Sequence, residues 1–482
     1  MKWLGAVQIA LPAKSLIILP ILTHKLGTGD YGVWSQVAVI TAVAAPLMNW
    51  GTSFGFVRRK AGAPIEERAR LFRAWVYALV TAFVVVLAMA LAAADPLTRH
   101  VLGSPEQGTA LVAFAVLLAF SGMLLNAEVA WLKLNGESHI HAMVLLADAV
   151  LAILAVVAFV LIQGSVVHLA GLTFLADVVL VSGLFVRHLR RHGWGEADFK
   201  AFWSAFRYGL PLMPLSFANA GINWVDRIVL LRYLSISDVG IYSLAHAIAQ
   251  MAVQAFTQPV RAYYPTRATA AYNLGNLEAV RTLYGLSAGT TFAVQVPAAI
   301  GLFFVAPTFI AIIAPPSFTP SPAVLPLVFI GYAIDRQATY SLLVFEWQMR
   351  QHWVTITQLG TLALNLLLNL LLIPRFGLIG AGIANVVAFA IRYLFVQAMV
   401  SSTTPLRANP TFIVKVVAAS AIMGFGLWLL PDAPPSTGLW RTAGHLAVQV
   451  TVGVVVYLTA LMALGGIASS GVKAAFSRVA NL

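Results

Sequence analysis

The chain has 482 residues, of which 60% are hydrophobic and 10% charged, a balance that water cannot solvate in a folded domain of this length. The bilayer is therefore its solvent, and since a spanning helix uses roughly 20 apolar residues, little length is left for a large soluble domain. The absence of cysteine excludes disulfides, thiolate metal sites and a cysteine nucleophile, and the net charge of +13 has to be read from where the basic residues stand.

In chain order, apolar windows cover residues 4–22, 31–57, 74–94, 109–132, 140–162, 166–186 and 208–231, and then 240–260, 283–306, 323–345, 354–373, 378–400, 411–430 and 443–464. Each is bounded by a Pro, Gly or charged break, which predicts about fourteen spans joined by short connections. Lys2, Arg58, Arg59, Lys60, Arg68, Arg70, Arg73 and Lys133 fall on one side, together with Arg187, Arg190, Arg191, Lys200 and Arg207. Arg261, Arg267, Arg281, Arg350, Arg407, Lys415, Lys473 and Arg478 join them, while Lys25, Arg99, Arg232, Arg375 and Arg441 fall on the other. Basic residues are retained in the cytoplasm, so both termini are expected there and the charge is a topology signal rather than one of nucleic-acid binding. Lys14 inside the first window and His24-Lys25 after it argue against a cleaved leader.

An internal repeat organises these spans. Asp30, Gly32, Trp34 and Ser35 after the first span recur as Asp238, Gly240, Tyr242 and Ser243 after the seventh. A weaker echo pairs Leu169-Ala170-Gly171-Leu172 with Gly380-Ala381-Gly382-Ile383. Six spans separate the copies, so the halves share one orientation and substrate is expected at their interface. The expected organisation is a first lobe over 1–192 (helices 1–6), a second over 193–402 (helices 7–12) and a C-terminal helix pair over 403–482.

Polar stripes mark the interior. Ser216, Asn219, Asn223 and Arg227 share one face of span seven, beside Asp226, and His246, Gln250, Gln254 and Gln258 recur every fourth residue on span eight. Such stripes cannot face lipid, where each unsatisfied polar group costs several kcal/mol. Span eleven carries Gln358, Thr361, Asn365 and Asn369, small uncharged groups that suit hydrogen bonding between helices. Lys14, Asp148, Asp177, Asp226, Arg227, Asp335, Arg336 and Arg392 stand well inside spans, where a charge costs about 2.5 to 3.5 kcal/mol unless paired or hydrated. Candidate substrate contacts are Lys14, Asn219, Asn223, Arg227, His246, Gln250, Gln254 and Arg336, cations among them suiting an anionic head group. Asp226, Asp148, Asp177 and Asp335 are candidate carriers of a coupling proton or sodium ion. No Walker loop, metal-ligand cluster or paired acids in an outside loop is present in the sequence, so neither a cofactor nor enzymatic chemistry is expected.

Three stretches resemble the polysaccharide flippase family of the multidrug, oligosaccharidyl-lipid and polysaccharide exporter superfamily. They are Leu22 to Gly32; Tyr208-Gly209-Leu210-Pro211 with Asp226-Arg227 and Asp238 to Ser243; and Asn365 to Ala381. The resemblance implies an all-α, V-shaped two-lobed bundle in the bacterial inner membrane that exports undecaprenyl-pyrophosphate-linked sugar units by alternating access. Membrane lipids, the lipid-linked oligosaccharide and polysaccharide polymerisation machinery are the partners it implies, with a tail groove from spans thirteen and fourteen. Related flippases often carry arginine on the first helix, where this chain has Lys14, a point charge rather than a bidentate fork. A multidrug extruder of the same superfamily is the alternative; twelve spans and an acidic cavity would favour it.

Overall fold

The structure, a computed structural model, describes residues 2–53, 56, 64–103, 107–319, 321–402, 404, 406, 408–431 and 438–466. Of the charges named above, Arg58, Arg59, Lys60, Arg407, Lys473, Arg478 and the side chain of Lys2 lie outside the described residues.

Among the described residues every regular element is helical. In order they are α1 (Lys2–Asn49), α2 (Ile65–Ala92), α3 (Gly108–Leu134), α4 (Ser138–Leu161), α5 (Val166–His192), α6 (Phe199–Gly209) and α7 (Met213–Tyr233). There follow α8 (Ile236–Asn273), α9 (Leu277–Ile313), α10 (Ser321–Trp347), α11 (Gln351–Ser401), α12 (Pro410–Trp428) and α13 (Leu439–Ala463). Starts are encoded locally. Asp198, Asn276 and Asn409 accept hydrogen bonds from the backbone N–H groups of Ala201, Ala279 and Phe412, satisfying donors that the first helical turn leaves open.

α1 and α11 each break once, at Gly27 (φ 65°) and Gly377 (φ 56°), left-handed positions that glycine takes without a Cβ clash. Among the described residues ten helices are long and apolar enough to cross a membrane, and these two are long enough to cross twice. The remaining long helices, α7 and α10, have 21 and 27 residues, and at 1.5 Å per residue even the shorter reaches about 32 Å, the depth of a bilayer core. They carry Asp226-Arg227 and Asp335-Arg336, which dilutes their apolar content. Two added crossings and two added helices bring the described rods to fourteen. The chain is a polytopic all-α membrane protein.

The chain divides into two compact units, Met1–Gly240 and Ile241–Leu482. In the first, α1 packs on α3, α4 and α7, while α5 packs on α3 and α4. A cluster around Phe56, Phe72, Trp75 and Trp131 fills the space between α2, α3 and α5. The duplicated motif has a packing role here. A Cβ at Gly32 would collide with the Ile236 carbonyl and lie 3.2 Å from the Gly240 nitrogen, and one at Gly240 would collide with the Thr28 carbonyl and lie 3.0 Å from the Gly32 nitrogen. The two copies thus meet through their shared glycines, the device by which membrane helices bring backbones together.

In the second unit α10 packs on α11 and α9. The C-terminal pair α12 and α13 forms its own cluster on α9 through Val416, Met423, Leu427, Tyr457 and Leu461, with Tyr457 Oη donating to the Ala293 carbonyl at 2.6 Å.

Candidate functional site

Each unit gathers polar and charged side chains inside its helices. In the first, Lys14 on α1 pairs with Asp148 on α4, Nζ to Oδ2 at 2.8 Å, each side chain 24% exposed. Asp177 on α5 accepts a 2.6 Å hydrogen bond from Ser121 on α3 and lies within electrostatic range of both Asp148 and Lys14. One lysine therefore faces two carboxylates, so this cluster suits an added proton or small cation.

The second polar line of this unit is α7. Asn219 is exposed and Asn223 half-buried, the Asn223 amide donating to the Asn219 carbonyl at 2.7 Å. Asp226 and Arg227 are buried. The Arg227 guanidinium donates to the Asn223 carbonyl at 3.1 Å and lies over the Trp224 ring at 4.2 Å, a cation–π arrangement favoured where water is scarce. The Gln36 amide on α1 donates to the Arg227 carbonyl at 3.3 Å.

In the second unit, Asp335 on α10 sits between Arg336 on its own helix, at 2.6 Å, and Arg392 on α11, with which it forms a short ion pair. Arg261 on α8 lies within electrostatic range of Arg336. Two guanidiniums thus flank one carboxylate, with a third, Arg261, near Arg336. Asp335 and Arg392 are buried, whereas the Arg336 side chain keeps 28% of its surface open and Arg261 is exposed. His246 on α8 is buried and bonded to the Tyr332 hydroxyl at 2.6 Å. Further along α8, Gln250 is half-buried and Gln254 exposed, so the stripe leads outward.

The stripe on α11 is different. Gln358, Thr361, Asn365 and Asn369 are all buried. Asn369 donates to Asn365, Asn365 to Asn385 and Asn385 to the Tyr242 hydroxyl, at 2.9, 3.0 and 2.9 Å. This ladder ties both arms of α11 to α8 and satisfies groups that lipid could not.

The structure brings together Lys14, Asp148 and Asp177 in one cluster and Asp335 and Arg336 in another. Sequence reasoning missed Ser121, Tyr332 and Asn385, named Tyr242 only as part of the repeat, and counted Arg392 as interior without giving it a role. Glu128, one turn from the end of the fourth window, was also missed; it is buried 3.8 Å from His188, a histidine stacked on Phe72. An acid within a span and a histidine near the end of another were the available signals.

Residues 21–321 match the family described as polysaccharide biosynthesis protein. The chain belongs to this family. As a member of it, the chain is similar in fold to MurJ, a lipid II flippase, in an inward closed conformation, with a TM-score of 0.74 and 14% identity over 94% of this chain and 97% of that one. It is also similar to a multidrug resistance transporter of the MATE family, in the MOP superfamily, in its inward-facing conformation, with a TM-score of 0.65 and 18% identity over 82% of this chain and 98% of that one. At these identities the likeness is one of fold. No curated protein matches the sequence.

Proposed function

We propose that this polysaccharide biosynthesis protein flips an undecaprenyl-pyrophosphate-linked oligosaccharide, a unit of O-antigen, capsule or exopolysaccharide, from the cytoplasmic to the periplasmic leaflet of a bacterial inner membrane. The observation that carries this reading is the excess of guanidinium over carboxylate around Asp335. A membrane helix bundle tolerates such an excess where it meets water or an anion, and arginine matches phosphate oxygens in bidentate geometry. Arg336 contacts the pyrophosphate, with Arg261 beside it, while Gln250 and Gln254 offer the amides that sugar hydroxyls require.

The cluster in the first unit supplies coupling. A proton or sodium ion at Asp148 neutralises the partner of Lys14 and releases the tie between α1 and α4, with Asp177 as the neighbouring carrier. Alternating access then moves the helix 1–6 half (1–192) against the helix 7–12 half (193–402), with both termini cytoplasmic. Delivery to polysaccharide polymerisation machinery follows from the product's leaflet.

The test uses proteoliposomes of the full chain and a fluorescent polyprenyl-pyrophosphate-linked oligosaccharide, its leaflet read by quenching with an impermeant reductant. Protein-dependent translocation is expected, with loss in Arg336→Ala. Export of a cationic dye without movement of the lipid would establish the multidrug reading in its place.

A further inference from the structure

The first unit contains a cavity of about 1170 Å³ between the second arm of α1, α2 and α6. Val43, Leu47, Val85 and Met89 are typical of its walls, and Glu196, at the α6 end, is the one charged residue in its lining among the described residues. Its length is informative. From Trp75 on α2 to Ala93 at its C-terminal cap the lining runs about 27 Å at a rise of 1.5 Å per residue, against a hydrocarbon core roughly 30 Å deep. A phospholipid chain occupies one leaflet and would fill half of such a groove; a chain that fills it all is longer than a leaflet.

The α6 end of the groove has its own chemistry. Phe199, Phe202, Trp203 and Phe206 of α6 share a face at steps of three, four and seven residues, and all four line the cavity. Lys200 and Arg207 are exposed on the flank of that helix. An aromatic face with basic flanks is the composition of a helix lying in the membrane interface. Arg73 is held buried at the same end, donating to the carbonyls of Glu196 at 2.7 Å and His192 at 3.4 Å. An apolar slot as deep as the bilayer with a basic, aromatic mouth complements an amphiphile with a long tail and an anionic head.

We propose that this groove binds the polyisoprenoid tail of an anionic lipid, with α6 at its mouth; the assignment rests on the substrate class proposed above. It places a tail site in the first unit, in addition to any groove formed by the C-terminal helix pair.

Because the chain has no cysteine, one introduced thiol reports on one place. Ala78→Cys near the mouth, Met89→Cys deep in the groove and Phe303→Cys on α9 as a control are labelled with an environment-sensitive fluorophore in phosphatidylcholine nanodiscs. Undecaprenyl phosphate is expected to shift the emission saturably at 78 and 89 but not at 303, and farnesyl phosphate at 78 alone. Ala82→Trp, which fills the slot, is expected to weaken the response by about tenfold. Unlabelled protein should also retain undecaprenyl phosphate through delipidation that removes phosphatidylcholine, as read by native mass spectrometry. No saturable shift, an equal shift at 89 with farnesyl phosphate, or loss of both lipids together would overturn the proposal. Head-group translocation without a groove response sinks the groove alone, and a groove response without translocation sinks the transport reading alone.

Discussion

Asp335→Asn is the substitution whose consequence the structure sets most sharply. The amide keeps the shape of the side chain and removes its charge, so Arg392, 7% exposed, faces a neutral group in place of the carboxylate it pairs with. Removing one partner of a buried ion pair costs about 3 to 5 kcal/mol, because the other charge is left buried and uncompensated. The bond to Arg336 adds less, about 1 kcal/mol or below, since that side chain is 28% exposed and screened. The expected loss is therefore about 4 kcal/mol, read by equilibrium unfolding of the purified chain in mixed micelles. The double variant Asp335→Leu with Arg392→Met removes both charges and should recover most of it, as apolar replacement of a whole buried pair is often neutral. A double-mutant cycle with coupling below about 0.5 kcal/mol, or an Asp335→Asn protein as stable as the parent, would show that these charges are solvated separately and refute the reasoning.

Three further outcomes follow from named contacts. Gly32→Ala forces a methyl group into the α8 backbone and should cost about 1 to 3 kcal/mol, whereas Gly29→Ala, whose Cβ would lie 3.6 Å from the Ser237 hydroxyl, should unfold at the parent temperature or above it. Asn385→Leu leaves Asn365 and the Tyr242 hydroxyl without their bond across α11 and α8; a loss of about 1 to 3 kcal/mol should appear in the same unfolding assay. Lys14→Met isolates Asp148, so its yield of folded protein should fall and be restored by adding Asp148→Asn, while translocation in proteoliposomes stays low in both.

The spans were legible because bilayer depth imposes a length and because Gly27, Gly377 and the proline breaks punctuate the chain. α6 was not. Most of its eleven residues lie between the sixth and seventh windows, and the aromatic spacing of Phe199, Phe202, Trp203 and Phe206 goes unnoticed when only long apolar windows are sought. α8 and α9 run well past their windows, since a helix can continue into water once its polar residues no longer pay a membrane penalty. For the site, periodicity placed residues on common faces of single helices, and the buried stripe on α11 follows from that. It could not pair Lys14 with Asp148, which stand 134 residues apart, or bring Arg392 to Asp335 across α10 and α11, because the partner of a charge is chosen by how helices pack. The meeting of Gly32 with Gly240 is intermediate: the repeat was visible, but the contact between its copies required coordinates.

The most direct test of the account is deletion of the gene followed by extraction of lipids from right-side-out and inverted membrane vesicles. Lipid-linked oligosaccharide is predicted to accumulate on the cytoplasmic leaflet while surface polysaccharide falls. Unchanged lipid pools together with normal surface polysaccharide would contradict it.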